Sequence, residues 1–269
     1  MLDGTQFDRD TSTAPAQDGF SVRFPERWMG VGGMHGGFVA ATLLKAIAIV
    51  VADPSHEALT LAVDYLSPVN ATEATVVMQV EKAGRSMTTV SARLLQASRL
   101  VALAVAGFGR PREEHIDFSD LKLPVSPGPE NVPVVDRGTL GLAAWADNFE
   151  MRPCLGRPAF SGSTAALSGG WIRLLETRPI DSVLLAALPD SWMPSIRTRL
   201  LQSHGADSTI KIGMHFSGLA SLSPADRFEP CFVHSQALVA GSGYWQEDAT
   251  VWSRSGTVLV RSRQVAIGA

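Results

Sequence analysis

The sequence predicts an α+β fold written twice in tandem. Three observations carry this. A strand, a long apolar helix and an antiparallel meander follow one another within residues 1–110; the same order returns within 134–269; and a proline-rich run separates the two. One long apolar helix per antiparallel sheet implies a sheet curved around its helix, which covers the apolar surface of both.

In the first half an extended start at 19–29 leads to a glycine cluster, GVGGMHGG at 30–37. Residues 38–51 are apolar nearly all round, and a helix apolar on every side is buried on every side. Asp53-Pro54 closes it. Strands are predicted at 59–66, 74–82, 87–95 and 100–108, with turns at 83–86 and 96–99 between the last three.

Residues 111–133 read PREEHIDFSDLKLPVSPGPENVP, with five prolines and no apolar periodicity. Proline fixes φ and lacks an N–H, so this segment is expected to be a linker or a crossover hugging the surface.

The second half repeats the order. Strands at 147–152 and 171–175 lead to a helix opened by Pro179, with Asp181 in its first turn and Pro189 at its end. Ile180, Val183, Leu184, Ala187 and Leu188 form its apolar face. Strands follow at 209–216, 232–239, 244–252 and 257–267, with Ser242-Gly243 and Ser255-Gly256 marking tight turns.

Composition narrows the function. Apolar residues make up 45% and charged residues 18%, enough for a real core. Lys plus Arg number 23 against 26 acids, with no basic stripe, which argues against nucleic acid as a partner. The first nineteen residues are polar and acidic, unlike a secretory signal, and the apolar stretch at 38–52 is too short to cross a bilayer. Two cysteines, Cys154 and Cys231, cannot staple a chain of this size, so a cytoplasmic location without membrane insertion is expected. His56, His115, His204, His215 and His234 are scattered without zinc spacing, and no G-x-S-x-G elbow occurs. The glycine cluster fails the dinucleotide fingerprint, because His35 stands where the third glycine belongs. No metal and no cofactor is expected.

Specific motifs add a resemblance. His35-Gly36-Gly37-Phe38-Val39-Ala40, Leu66-Ser67-Pro68-Val69 and Gly84-Arg85-Ser86 lie in the first half. Glu150-Met151-Arg152-Pro153, Trp171-Ile172-Arg173, the run 188–194 (LPDSWMP), Ser208-Thr209-Ile210 and Arg263-Gln264 lie in the second. In this order and spacing the chain resembles the acyl-CoA thioesterase II family of double-hotdog enzymes. The resemblance implies a tandem hotdog: an N-terminal unit at 1–110 without its own catalytic site, a linker at 111–133, and a C-terminal unit at 134–269 carrying the chemistry. It implies hydrolysis of fatty acyl-CoA by a water held between an Asp, a Thr and a Gln, which fall on Asp190, Thr209 and Gln264. The family's Asp two residues after the Thr is Lys211 here. A non-catalytic double hotdog that binds an acyl thioester or other lipid is the alternative.

The residues can also be read by themselves. Val258, Val260, Ser262, Gln264 and Ala266 share one side of the last strand, so Gln264 faces the helix and needs a hydrogen-bond partner, backbone or otherwise. Asp190 follows an apolar helix, beside the negative end of its dipole, which is expected to strengthen it as a base; an exposed acid in a turn is the plainer reading. Thr209 alternates with Lys211 and His215, away from the apolar face of Ile210, Ile212, Met214 and Phe216. At the start of the first helix, Gly36 and Gly37 offer bare N–H groups to a thioester carbonyl or a phosphate, and His35 is a ligand, a base or a shaper of the turn. In the first half Ala106 stands where Gln264 stands in the second, and Asp53 is the only acid just past the helix. One site per chain is therefore expected, and pairing through sheet edges into a homodimer.

Overall fold

The computed structural model describes residues 4–112, 116, 118–136, 143–203, 205 and 207–268. His115 and His204 lie outside the described residues. In chain order the strands are β1 (Thr13–Ala16), β2 (Gly19–Arg23), β3 (Glu57–Tyr65), β4 (Glu73–Ala83), β5 (Met87–Gln96) and β6 (Arg99–Gly109). The second half adds β7 (Phe149–Gly156), β8 (Ala166–Leu174), β9 (Ser208–Phe216), β10 (Cys231–Gly241), β11 (Tyr244–Trp252) and β12 (Val258–Ile267). Helices are α1 (Gln6–Asp10), α2 (Gly36–Val51) and α3 (Ser182–Ala187).

The strands form one twelve-stranded sheet, ordered β1-β2-β4-β5-β6-β3-β9-β12-β11-β10-β8-β7. The two halves thus meet edge to edge: β3 pairs antiparallel with β9, from Thr60 opposite His215 to Asp64 opposite Lys211. This seam places the start of β9 beside the end of β3 and brings the two halves' helices together.

α2 forms as its sequence predicts. His35 caps it, its Nδ1 accepting the Phe38 N–H at 3.1 Å, and Ala52 ends it in the left-handed region at φ 51°. Residues from Gly37 to Leu44 are buried without a break. Phe38 stacks on Trp28 with ring centroids 4.4 Å apart, and Phe7 meets both edge-on. Phe7 arrives on α1, a short helix held by a Thr5–Asp8 capping box. Lys45 of α2 anchors it further, donating to the Asp8 carbonyl and to Thr11 Oγ1.

α3 is shorter than the apolar pattern predicts. Asp181 is its N-cap rather than a first-turn residue, accepting the Leu184 N–H at 2.8 Å, so Pro179 lies before the helix. Pro189 has no N–H to continue the α-helical ladder, and the chain tightens into a 3₁₀ turn, Leu188–Asp190.

The proline-rich stretch carries no strand among its described residues and one 3₁₀ turn, Pro129–Asn131. Its last part lies against the second half. Trp171 Nε1–H donates to the Pro127 carbonyl at 2.8 Å, and Val132 packs with Trp171, Phe232 and Trp252. Among the described residues no helix is long and apolar enough to cross a membrane.

Candidate active site

Asp190 closes the 3₁₀ turn after α3, and three groups fix it. Its Oδ2 accepts the N–H of Gly37 at 2.8 Å, and its Oδ1 accepts the hydroxyl of Thr209 at 3.1 Å. Its backbone carbonyl accepts from His35 Nε2 at 2.9 Å. Because His35 Nδ1 already accepts from Phe38, the ring proton sits on Nε2, and the imidazole is the neutral tautomer. Burial pushes the His35 pKa down, in keeping with that state, although the Asp190 charge pulls the other way. Trp145 stacks on the ring at 4.5 Å.

The glycines at 36 and 37 have a packing reason that spacing did not disclose. A Cβ on Gly37 would stand 2.4 Å from the Ala187 carbonyl oxygen, and one on Gly36 would stand 2.8 Å from Asp190 Oδ2. The two helices therefore touch backbone to backbone, the N-terminal end of α2 against the C-terminal end of α3. Asp190 sits at that junction. The sequence placed it at the C-terminal end of one helix; the structure also sets it against the N-terminal end of another, where it accepts the Gly37 N–H. The Gly37 N–H is thereby engaged by Asp190. Of the N–H groups of residues 35–38, His35 donates to the Trp28 carbonyl and Phe38 to the His35 ring. Of these four N–H groups, that of Gly36 alone has no hydrogen-bond partner among the described residues. Its carbonyl accepts from the Tyr65 hydroxyl at 2.6 Å. Burial, then the Asp190 charge, raises the Tyr65 pKa, so the phenol keeps its proton.

Thr209 is not where alternation placed it. Along the β9–β12 ladder, Lys211 pairs with Val265 but Thr209 pairs with Ala266, which leaves Ile210 as an extra residue. This bulge turns Thr209 to the face that carries Gln264, away from that of Lys211. The Thr209 hydroxyl lies 3.4 Å from Gln264 Oε1 as well as 3.1 Å from Asp190. The structure thus brings together all three side chains that the resemblance singled out. Lys211 points elsewhere, with its Nζ 2.8 Å from both carboxylate oxygens of Asp64 across the seam.

Gln264 is 5% exposed, and its partner is a side chain rather than the backbone. Glu247, directly opposite on β11, accepts from Gln264 Nε2 at 3.1 Å. The other oxygen of Glu247 accepts both the N–H and the hydroxyl of Ser195, at 2.6 and 2.5 Å. Sequence reasoning missed Glu247. Its only signal was an acid two residues after Trp245 in β11, and so on the same strand face as that apolar residue.

Asp190, Thr209 and Gln264 all line one cavity of about 750 Å³, together with Gly36, Trp192 and Trp245. In the first half Ala106 is fully buried between Leu61 and Val90, and Asp53 faces Arg110 at 2.9 Å.

Comparisons with known proteins bear on the family and the fold. The model of the acyl-CoA thioesterase N-terminal domain matches residues 24–109, and that of the C-terminal domain matches residues 122–267. No curated protein matches the sequence significantly. Among solved structures, a hot dog fold protein of unknown function from Alicyclobacillus acidocaldarius superposes with a TM-score of 0.86 at 24% identity, covering 99% of this chain and 98% of that one. The acyl-CoA thioesterase II TesB2 of Mycobacterium marinum gives 0.76 at 17% identity, with 98% of each chain covered. The tesB protein of Mycobacterium avium subs paratuberculosis gives 0.77 at 15%, again with 98% of each covered. At these identities the structures establish the fold, a tandem hotdog.

Proposed function

The chain belongs to the acyl-CoA thioesterase family and is a thioester hydrolase, and from that premise we propose that it cleaves fatty acyl-CoA with a water held by Asp190, Thr209 and Gln264. The observation that supports the assignment is their convergence on one cavity wall, with Thr209 within hydrogen-bond reach of both partners.

An attacking water must place its two protons on acceptors and aim a lone pair at the carbonyl carbon. Asp190 Oδ1 is the acceptor that removes a proton as general base. Gln264 Oε1 accepts a hydrogen bond from the other O–H, and the single proton of the Thr209 hydroxyl is donated to one of the two acceptors at a time. Fixing these directions removes the entropy cost of finding the attack angle. The Gly36 N–H, free at the start of α2, is positioned for the carbonyl oxygen as it gains charge. As the tetrahedral intermediate collapses and the C–S bond breaks, coenzyme A leaves as a thiolate, and the proton held by Asp190 passes on to it, which restores the base. A thiol's pKa near 8.5, by analogy with cysteine, means that it departs without a strong acid.

Trp192, Trp245 and the other apolar lining suit an acyl chain. The catalytic site belongs to the unit at 134–269; the unit at 1–110 contributes the α2 terminus and, with Ala106 and Asp53 as they are, no site of its own. A cytoplasmic setting fits the two free cysteines, and homodimerisation fits the sheet edges at β1 and β7.

The test is Asp190→Asn in an assay of free thiol released from a ladder of acyl-CoA chain lengths. The change keeps the shape and removes the base, and kcat is expected to fall by about 100-fold or more. Undiminished turnover would overturn the assignment.

A further inference from the structure

We infer that Glu247 is a positioning residue for this reaction: its ionised carboxylate holds the Gln264 amide so that the carbonyl oxygen, not the nitrogen, faces the water. The inference rests on the proposed role of Gln264 as an acceptor.

The hydrogen-bond inventory fixes the orientation. A carboxylate only accepts, so Oε1 of Glu247 demands the Nε2–H of Gln264, and Oε1 of Gln264 is left facing Thr209. The register makes this pairing obligatory, since Glu247 and Gln264 stand directly opposite each other on neighbouring strands. Glu247 is itself immobile. It is 2% exposed, and Ser195 clamps its far oxygen with two donors.

Protonation reverses the arrangement. Oε2 faces the two donors of Ser195, so an added proton belongs on Oε1, pointing at Gln264. A donor there requires the amide to turn over and accept through its oxygen. Gln264 would then present –NH₂ to the water, a group that cannot accept a proton. The site would keep its shape and lose an acceptor.

The environment sets where this happens. Burial is the largest influence on Glu247, and the Asp190 charge adds to it; the Ser195 and Gln264 hydrogen bonds oppose them, and the balance holds the pKa at about 7. The charged group that faces Glu247 is Asp190, at the end of the turn after α3. The strand neighbours of Glu247 are Ala237 on β10 and Gln264 on β12.

Glu247→Gln imitates the protonated form at every pH. Its carbonyl must serve the Ser195 N–H, so its –NH₂ faces Gln264 and turns that amide over. The expected results on the full-length chain are a kcat lowered by about tenfold or more at pH 8, with KM within about twofold. The wild type should lose kcat as pH falls through about 7, and the variant should lack that limb. In a Gln264→Ala background the Glu247→Gln change should have no further effect on kcat, because Glu247 acts only through the amide. Wild-type kcat and an unchanged pH profile in Glu247→Gln would overturn the inference.

A second readout needs no substrate. The side-chain amide NMR signals of Gln264, assigned by their loss in Gln264→Ala, should titrate near pH 7 in the wild type and stay fixed in Glu247→Gln. Gln264 signals that ignore pH in the wild type refute the coupling. A wild type that releases no thiol but shows this titration refutes the hydrolytic role alone and leaves the coupling standing.

Discussion

Gly37 and Asp190 come from different halves of the chain, yet the N–H of one meets the Oδ2 of the other at 2.8 Å. The contact depends on two helix ends touching without side chains between them. Asp190 is aimed by the first half's backbone while its hydroxyl partner comes from the second half's sheet.

Substituting Gly37 tests that dependence. A Cβ there would lie 2.4 Å from the Ala187 carbonyl oxygen, a backbone atom that cannot swing aside. Gly37→Ala is expected to cost about 1–3 kcal/mol in denaturant unfolding, because overpacking must be relieved by separating the helices. Turnover should fall further than stability accounts for, by up to about 100-fold, since separation also carries Asp190 off its aim.

Thr209 and Gln264 are expected to act as a unit. Thr209→Val and Gln264→Ala should each lower kcat, and the double variant should lose far less than the product of the two losses. Steady-state kinetics on the four proteins decides this; multiplicative losses would mean that the two serve separate steps.

The contribution of Glu247 to stability should rise as the solution is acidified across neutrality. The folded-state pKa of Glu247 lies above its usual 4.5, at about 7, so its proton is bound more tightly in the folded chain. The resulting stabilisation is fully present below about pH 4.5 and is lost as pH rises through 7, a swing on the order of 3 kcal/mol. Melting temperatures of the wild type and Glu247→Gln between pH 5.5 and 8.5 measure it: the variant should be the more stable at pH 8 and should lack this contribution to the slope.

Lys211→Ala should leave turnover unchanged. Lys211 and Asp64 form an exposed pair on the outer side of the seam, 2.8 Å apart, and such pairs contribute less than about 1 kcal/mol. A large change in kcat would show that the cation reaches the site by its field.

Much of the architecture was legible because it rests on periodicity. The apolar run at 38–51 had to be a buried helix, and the alternating segments of both meanders had to be strands, so those elements fall within a few residues of their expected bounds. The site was legible only in part. Gln264 could be placed inward by alternation, but Thr209 could not, because a single bulge at Ile210 reverses its side. The tightness behind Gly36 and Gly37 was hidden because it comes from contact with Ala187 and Asp190, some 150 positions away. Glu247 escaped notice for the same reason: its partners, Ser195 and Gln264, are joined only by folding. No helix is expected within the polar, acidic first nineteen residues, since the one buried residue of α1, Phe7, makes no pattern.

The ladder between β3 and β9 has a consequence for how the protein can be cut. The two halves are held by backbone hydrogen bonds and interlocking helix tips, not by the peptide chain that runs between them. Protease nicking at the exposed residues 118–122 should therefore leave a single particle that still turns over substrate. The halves expressed as separate polypeptides should find each other and regain activity only when mixed.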